Sequence, residues 1–130
     1  AGPPPDIRLF LVYFDPAQTP ALKHSVGLEK GRIGIVNVFA ARRQSGANSF
    51  VIAHEMLHTL GASDKYAVPS LLPRFPDGYA DPAQSPLYPQ QKAEIMGGRI
   101  PIDEESAAIP RSLRAAVIGP DTAREIRLLD

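Results

Sequence analysis

Residues 54–66 read HEMLHTLGASDKY and carry two histidines separated by three residues. On an α-helix, positions i and i+4 differ by only about 40° of rotation, so the side chains of His54 and His58 would project from one face. Histidine nitrogen is a common zinc ligand, and two such nitrogens can share one tetrahedral ion. The spacing therefore predicts a helix whose His54 and His58 bind Zn²⁺.

Glu55 directly follows the first histidine. It is rotated by about 100° from His54, so its carboxylate would flank a metal on the other side of the ligand pair. Zn²⁺ lowers the pKa of a bound water from about 15.7 towards 7, and a neighbouring carboxylate can then take its proton. We predict that Glu55 is a general base; the plainer interpretation is a solvated carboxylate on the helix surface.

The third ligand must come from outside this helical turn. Gly61 stands three residues after His58, where a left-handed residue ends many helices and reverses the chain. Asp64 would then return towards the histidines, and we predict that it completes the ligand set; aspartate is also common after such a glycine merely as a turn residue. The alternative third ligands are His24, if the chain folds far back, and a later glutamate: Glu94, Glu104, Glu105 or Glu125.

The pattern HExxHxxGxxD resembles that of the aspartate-liganded metzincin-like peptidases, of which the snapalysins are the most compact. In that group a tyrosine commonly stands two residues after the aspartate, as Tyr66 does here. The segment EIMGG, Glu94–Gly98, resembles the Met-turn of the same group. The resemblance implies that Met96 underlies the metal site and that Tyr66 lies near the zinc, where its hydroxyl could donate to the substrate oxyanion.

The activity that this resemblance implies is that of a zinc metalloendopeptidase with one catalytic ion. Two alternatives stay open: a non-catalytic, metal-stabilised module that binds peptides, and a processing peptidase or amidase specific for one partner. Glu55 argues against the module, because a protein that only binds has no chemical need for a carboxylate there.

Composition excludes several partners. The chain of 130 residues has 14 basic and 14 acidic residues and no cysteine, so it has neither a global field for nucleic acid nor disulfides. No apolar run approaches the 18 or so residues of a membrane span. We expect one domain over residues 1–130, a monomer, with a disordered proline-rich leader at residues 1–5; an extracytoplasmic location is the better expectation for a peptidase.

The pattern along the chain predicts an α+β fold, and the resemblance implies that this fold is of the minimal metzincin-like kind. Ile7–Phe14 and Ile33–Ala41 are rich in β-branched and aromatic residues and predict strands, and Lys23–Leu28 is a candidate third. We expect Ile33–Ala41 to be the edge strand along which an extended peptide substrate binds through backbone hydrogen bonds. The segment Arg99–Pro101 would line the far side of the cleft.

Helices are predicted on either side of a loop-rich region. Asn48 and Ser49 are predicted to cap the motif helix, which would run to about Leu60. Fourteen prolines in the chain, dense between residues 69 and 110, predict irregular structure from Tyr66 to about Pro101. The last two predicted segments are a helical pattern over Asp103–Ile118, interrupted by Pro110, and a terminal helix over Asp121–Leu129.

Two groups of charged residues have weaker implications. Arg42, Arg43 and Arg99 would favour acidic residues in a substrate if they border the cleft, although surface arginines are usually just solvated charge. Asp77 and Asp81 hint at Ca²⁺ but lack the spaced ligands of an EF-hand.

Overall fold

The computed structural model describes residues 6–130, so the predicted leader at residues 1–5 lies outside the described residues. A three-stranded sheet is built from β1 (Arg8–Phe14), β2 (Val26–Leu28) and β3 (Ile33–Phe39) in the order β1-β3-β2. Strand β1 is parallel to β3, and β2 is antiparallel to it. The three strand predictions are confirmed, but β3 is the central strand and not the edge strand. Strand β2 is the antiparallel edge strand, because a short turn joins it to β3 and the two strands pair directly.

The sheet has one covered and one open face. Gly34, Val36 and Val38 of β3 are buried against the first helix. The alternate residues point the other way, and the side chains of Phe10 and Ile35, which are paired across β1 and β3, are 54% and 51% exposed. The helix-covered face of the sheet therefore contributes to the core, and the opposite face is open.

The motif helix, α1, spans Ser45–Thr59 and follows a 3₁₀ turn over Arg42–Gln44. It begins before the predicted caps: Gln44 occupies the N-cap position and makes no side-chain cap. The side chain of Asn48 instead binds the end of β3, donating to the Phe39 carbonyl at 2.7 Å and accepting from the Phe39 N–H at 3.1 Å. The capping prediction was wrong because Asn48 satisfies an unpaired strand end, which fixes the helix to the sheet.

The second half of the chain is loop-rich, as predicted, and carries only short elements: β4 (Ala93–Glu94), β5 (Ile100–Pro101), β6 (Ala107–Ala108), β7 (Ala116–Val117) and α2 (Pro120–Glu125). Strands β4 and β7 pair in parallel, and β5 and β6 pair antiparallel. The predicted helix over Asp103–Ile118 is wrong, since its two ends pair with earlier segments and only Leu113–Ala115 forms a 3₁₀ turn. The terminal helix is confirmed but is shorter, because Arg127 adopts a φ of 65° beyond its end.

The core joins α1 to the second half of the chain. Phe50 and Leu57 of α1 pack with Ala62, Ala93, Ile95 and Met96, all buried. The prediction of an α+β fold is confirmed. In the part of the chain that the structure describes, neither helix has the length and apolar character needed to cross a membrane.

Candidate metal centre

The two histidines of α1 are oriented by backbone carbonyls. Nδ1 of His54 lies 2.8 Å from the carbonyl oxygen of Ile95, and Nδ1 of His58 lies 2.8 Å from that of Ala62. A carbonyl oxygen can only accept, so each Nδ1 carries the proton and donates it. In the neutral tautomer each Nε2 therefore presents a lone pair, which is the arrangement found in histidines that ligate metals.

Both Nε2 atoms face the same oxygen of Asp64. Oδ1 of Asp64 lies 2.8 Å from Nε2 of His58 and 3.1 Å from Nε2 of His54. Gly61 makes this return possible with a φ of 106°, and the Gly61 and Ala62 N–H groups donate to the carbonyls of the last helical turn. Three electron-pair donors that converge in this way repel one another unless a proton or a cation lies among them.

The spacing suits zinc. With Zn–N and Zn–O bonds of about 2.0–2.2 Å and tetrahedral angles, neighbouring ligand atoms are about 3.3 Å apart. The two observed N···O distances are slightly shorter than this and have hydrogen-bond length, as expected where a proton and not an ion lies between nitrogen and oxygen. The imidazole rings are nearly perpendicular, at 83°, and their centroids are 4.8 Å apart, so their ring edges converge without stacking.

Glu55 is next to this trio but is oriented differently. Its Oε1 lies 3.9 Å from Nε2 of His54, further than either Asp64 distance. Ligand atoms of His54, Glu55 and His58 lie within 4.8 Å of one another, so Glu55 is within reach of the same ion. We assign it to the flank and not to the ligand set, because Asp64 is closer to both imidazoles.

Glu55 is buried, and its Oε2 has no hydrogen-bond partner among residues 6–130. A buried acceptor without a donor in the protein is costly, which makes Glu55 a candidate functional group. Burial raises the pKa of Glu55, and the nearby imidazoles of His54 and His58 lower it by a smaller amount. The carboxylate is therefore a better proton acceptor than an ordinary glutamate.

The charges of the trio depend on one another. Burial raises the pKa of the Asp64 carboxyl, but the hydrogen bonds with His54 and His58 outweigh it and hold this pKa well below its usual range. Burial lowers the pKa of His58, and the hydrogen bond with Asp64 outweighs it, so the net shift is upward. Asp64 is thus negatively charged and presents its charge to the histidines.

The loop that carries Asp64, residues 61–66, is held by α2. Glu125 of α2 accepts hydrogen bonds from the N–H and the hydroxyl of Ser63, and it forms an ion pair with Lys65, whose side chain is only 2% exposed. Arg74 donates to the carbonyl of Asp64 at 2.9 Å. The residues on both sides of Asp64 are therefore fixed, although sequence reasoning had weighed Glu125 only as a metal ligand.

Met96 is completely buried and belongs to the core cluster that also contains Phe50 and Leu57 of α1. Its neighbour Ile95 provides the carbonyl that orients His54, and the carbonyl of Met96 accepts from the N–H of Lys65 at 2.8 Å. The Met-turn segment, Glu94–Gly98, thus supports both α1 and the 61–66 loop through its backbone.

Glu94 holds the Met-turn segment itself. Its carboxylate is fully buried and accepts from the N–H groups of Met96, Gly97 and Gly119 and from the hydroxyl of Thr122. Four donors saturate both oxygens, so Glu94 is not a candidate ligand. The only sequence signal for Glu94 was its position at the start of the predicted Met-turn, and this did not reveal that its side chain holds the turn.

Tyr66 lies beside His54, with ring centroids 6.3 Å apart and an interplanar angle of 26°. Burial raises the pKa of Tyr66 to about 12, and the negative charge of Asp64 adds to the effect. The phenol is therefore protonated at neutral pH and can act as a hydrogen-bond donor.

The other predicted candidates do not join the trio. Glu104 and Glu105 are exposed on a turn, Asp77 lies 3.6 Å from Arg74, and Asp81 is exposed, so they form no cluster like the one at His54 among the described residues. His24 is exposed but lines the same cavity as His54 and Glu55. That cavity, of about 290 Å³, opens beside the candidate metal centre between the segment before β2, the middle turns of α1 and the Met-turn segment.

Comparisons of the chain with protein-family models, curated proteins and solved structures found no match. What the protein does is therefore inferred from the side chains that the fold brings together.

Proposed function

We propose that this protein is a zinc-dependent endopeptidase in which His54, His58 and Asp64 hold the ion and Glu55 is the general base. The observation that carries the proposal is the buried Glu55 carboxylate, with an unpartnered Oε2, beside two Nε2 atoms that face one aspartate oxygen. When bound, Zn²⁺ supplies a Lewis acid that polarises the scissile carbonyl and lowers the pKa of water to about 7.

The residues around the ion then handle the protons. Glu55 takes the proton of the attacking water at its free carboxylate oxygen, and it later delivers this proton to the nitrogen of the leaving amine. The raised pKa of Glu55 suits both proton transfers. The carboxylate is a stronger base towards the attacking water, and its protonated form is a proton donor whose pKa lies closer to neutral pH. Tyr66 donates its hydroxyl proton in a hydrogen bond to the developing oxyanion.

The finer part of the fold prediction, a minimal metzincin-like fold, belongs to the same proposal. It is supported by the turn at Gly61, the buried Met96 packed against the core residues of α1, and the antiparallel edge strand beside α1. With β2 at the edge, we propose that an extended peptide binds along Val26–Leu28 instead of along β3. The backbone of β2 approaches α1 at Gly27, next to Glu55 and His58.

The alternative of a non-catalytic binding module has less support. A module would gain stability from an apolar residue or an amide in place of a buried carboxylate whose second oxygen has no partner. The loss of stability caused by the buried Glu55 carboxylate is explained if this group transfers a proton.

The test is to measure zinc content and hydrolysis of casein and of quenched peptides for the wild type, Glu55→Ala and the matched surface variant Glu105→Ala. We expect Glu55→Ala to retain one equivalent of zinc and to lose activity by about 10³-fold or more, while Glu105→Ala behaves as wild type. Unchanged hydrolysis by Glu55→Ala would remove the base assignment. A wild type that binds zinc but cleaves none of these substrates would favour the module or a narrowly specific peptidase.

A further inference from the structure

The cavity beside Glu55 combines apolar walls with cationic groups. Its apolar residues come from the segment before β2, from α1 and from two loops: Leu22, Phe50, Val51, Leu71 and Ile109. Lys23 and Arg99 also line it. Lys23 precedes the metal motif in the sequence, and Arg99 follows it. Among the described residues that line this cavity, Glu55 is the one acid. A ligand that enters it next to Glu55 therefore meets two positively charged side chains.

These two cations are not paired with carboxylates of the protein. The ion pairs found among residues 6–130 include neither Lys23 nor Arg99. Arg99 is nonetheless half-buried, and its guanidinium has no anionic partner among residues 6–130. Arg42 and Arg43, the other arginines considered from the sequence, are exposed and do not line this cavity.

The backbone on both sides of the cavity is held in place. The side-chain amide of Asn37, on the central strand, donates to the carbonyls of Lys23 and His24 at 3.1 Å each. Before Arg99, the N–H groups of Gly97 and Gly98 donate to the Glu94 carbonyl at 3.0 and 3.1 Å. The cations are thus presented by anchored segments, which lowers the entropy lost when a ligand binds.

We propose that this cavity binds a carboxylate of the substrate, with Arg99 as the specificity-determining residue and Lys23 as a second positive charge. The apolar walls would contact the aliphatic part of the substrate residue, and the planar guanidinium suits a carboxylate through two parallel hydrogen bonds. The carboxylate belongs either to a Glu or Asp side chain next to the scissile bond or to the C-terminus of a short substrate. This inference rests on the proposed peptidase function, because it names the substrate class of the same site.

The test uses three quenched peptides that differ only after the scissile bond: an amidated peptide with Glu, the same peptide with Gln, and a peptide that ends there in a free carboxylate. For the zinc-loaded wild type we expect kcat/KM about tenfold higher for the Glu peptide than for the Gln peptide, corresponding to about 1.4 kcal/mol. In Arg99→Gln this ratio should fall to nearly 1, and Arg99→Glu should prefer an additional peptide with Lys at the same position over the Glu peptide. The control, Arg43→Gln, should keep the wild-type ratio.

The free-carboxylate peptide shows which carboxylate of the substrate is bound. If it alone is preferred, the site binds a C-terminal carboxylate, and if the Glu peptide is preferred, the site binds a side-chain carboxylate. Both results support carboxylate binding. A Glu-to-Gln ratio near 1 together with no preference for the free carboxylate would overturn the proposal, as would an unchanged preference in Arg99→Gln.

A binding measurement separates this inference from the proposed function. Zinc-loaded Glu55→Ala is titrated with the same peptides, labelled for fluorescence anisotropy, so that turnover is not needed. A tenfold preference in Kd that is lost in the double variant with Arg99→Gln supports the carboxylate site even if the wild type hydrolyses nothing. Equal Kd values for the Glu, Gln and free-carboxylate peptides contradict it even if the protein is an active peptidase.

Discussion

Oδ1 of Asp64 lies 2.8 Å from Nε2 of His58, although the two residues meet only because the chain reverses at Gly61. If this oxygen is a metal ligand, Asp64→Ala should lower zinc affinity by more than about 100-fold, beyond the 10–100-fold typical of residues that only support ligands. Competition with a chromophoric chelator measures the affinity. Asp81→Ala, which removes an exposed carboxylate, is the matched control. An Asp64→Ala protein with wild-type zinc affinity would assign the third position to another residue, first of all Glu55.

Tyr66→Phe tests the oxyanion role. The variant keeps the ring that stacks on His54 and loses only the hydroxyl, which the raised pKa keeps protonated. We expect kcat to fall by about 100-fold with a small change in KM and no change in zinc content, because the donor acts mainly in the transition state. Tyr13→Phe, at an exposed position on β1, should change nothing. A rise in KM with unchanged kcat would mean that Tyr66 binds substrate without stabilising the oxyanion.

Local geometry made the metal motif predictable. The helical period places His54 and His58 on one face with Glu55 beside them, and a glycine at the helix end is the residue that most easily adopts the φ of 106° found at Gly61. These relationships involve residues a few positions apart, so they can be predicted from spacing alone. The strands can also be predicted locally, because each is recognisable from its own residue types.

What could not be predicted depends on partners far along the chain. The 61–66 loop is held by Glu125, which binds Ser63 from 62 residues away, and the Met-turn segment is held by Glu94 with Gly119 and Thr122. Strand order is also non-local, so the central position of β3 could not be read from its composition. The segment Asp103–Ile118 had apolar residues at helical spacing, but pairing of Ala107 with Pro101 and of Ala116 with Ala93 outweighed this weak preference.

Glu55→Gln should stabilise the metal-free protein. The folded state raises the pKa of this carboxyl, so it binds more protons than the unfolded chain, and wild-type stability falls as pH rises above the unfolded pKa of about 4.3. Glutamine does not titrate, so its advantage should grow between pH 5 and pH 8 and reach about 1 kcal/mol. Thermal unfolding in the presence of a chelator measures the effect, with Glu105→Gln as the exposed control. Destabilisation by Glu55→Gln at pH 8 would contradict the account of a strained, unpartnered carboxylate.

Glu125→Gln should destabilise the protein and loosen the 61–66 loop. Burial raises the pKa of Glu125, but the hydrogen bonds from Lys65 and Ser63 outweigh it, and the net shift is downward. A lowered carboxyl pKa adds stability above the unfolded pKa of about 4.3, and this stability is lost as pH falls through the folded pKa. We therefore expect a loss of about 2 kcal/mol at pH 7 that shrinks below pH 4, measured by urea unfolding across this range. Asp121→Asn breaks only a surface pair with Arg124 and should cost less than about 0.5 kcal/mol.

Gly27→Ala tests the contact between the edge strand and the helix that carries the metal motif. A Cβ at Gly27 would lie 2.4 Å from the carbonyl oxygen of Glu55 and 2.8 Å from Cβ of His58, so β2 and α1 must move apart. A displacement of about 1 Å near catalytic groups can lower the rate by about 100-fold, and we expect a loss of that order in kcat/KM. Lys30→Ala, which shortens an exposed side chain in the turn that follows β2, is the control and should leave kcat/KM unchanged. Because the steric conflict involves backbone that cannot rotate away, full activity and stability in Gly27→Ala would mean that β2 does not lie against the turn of α1 that contains Glu55 and His58.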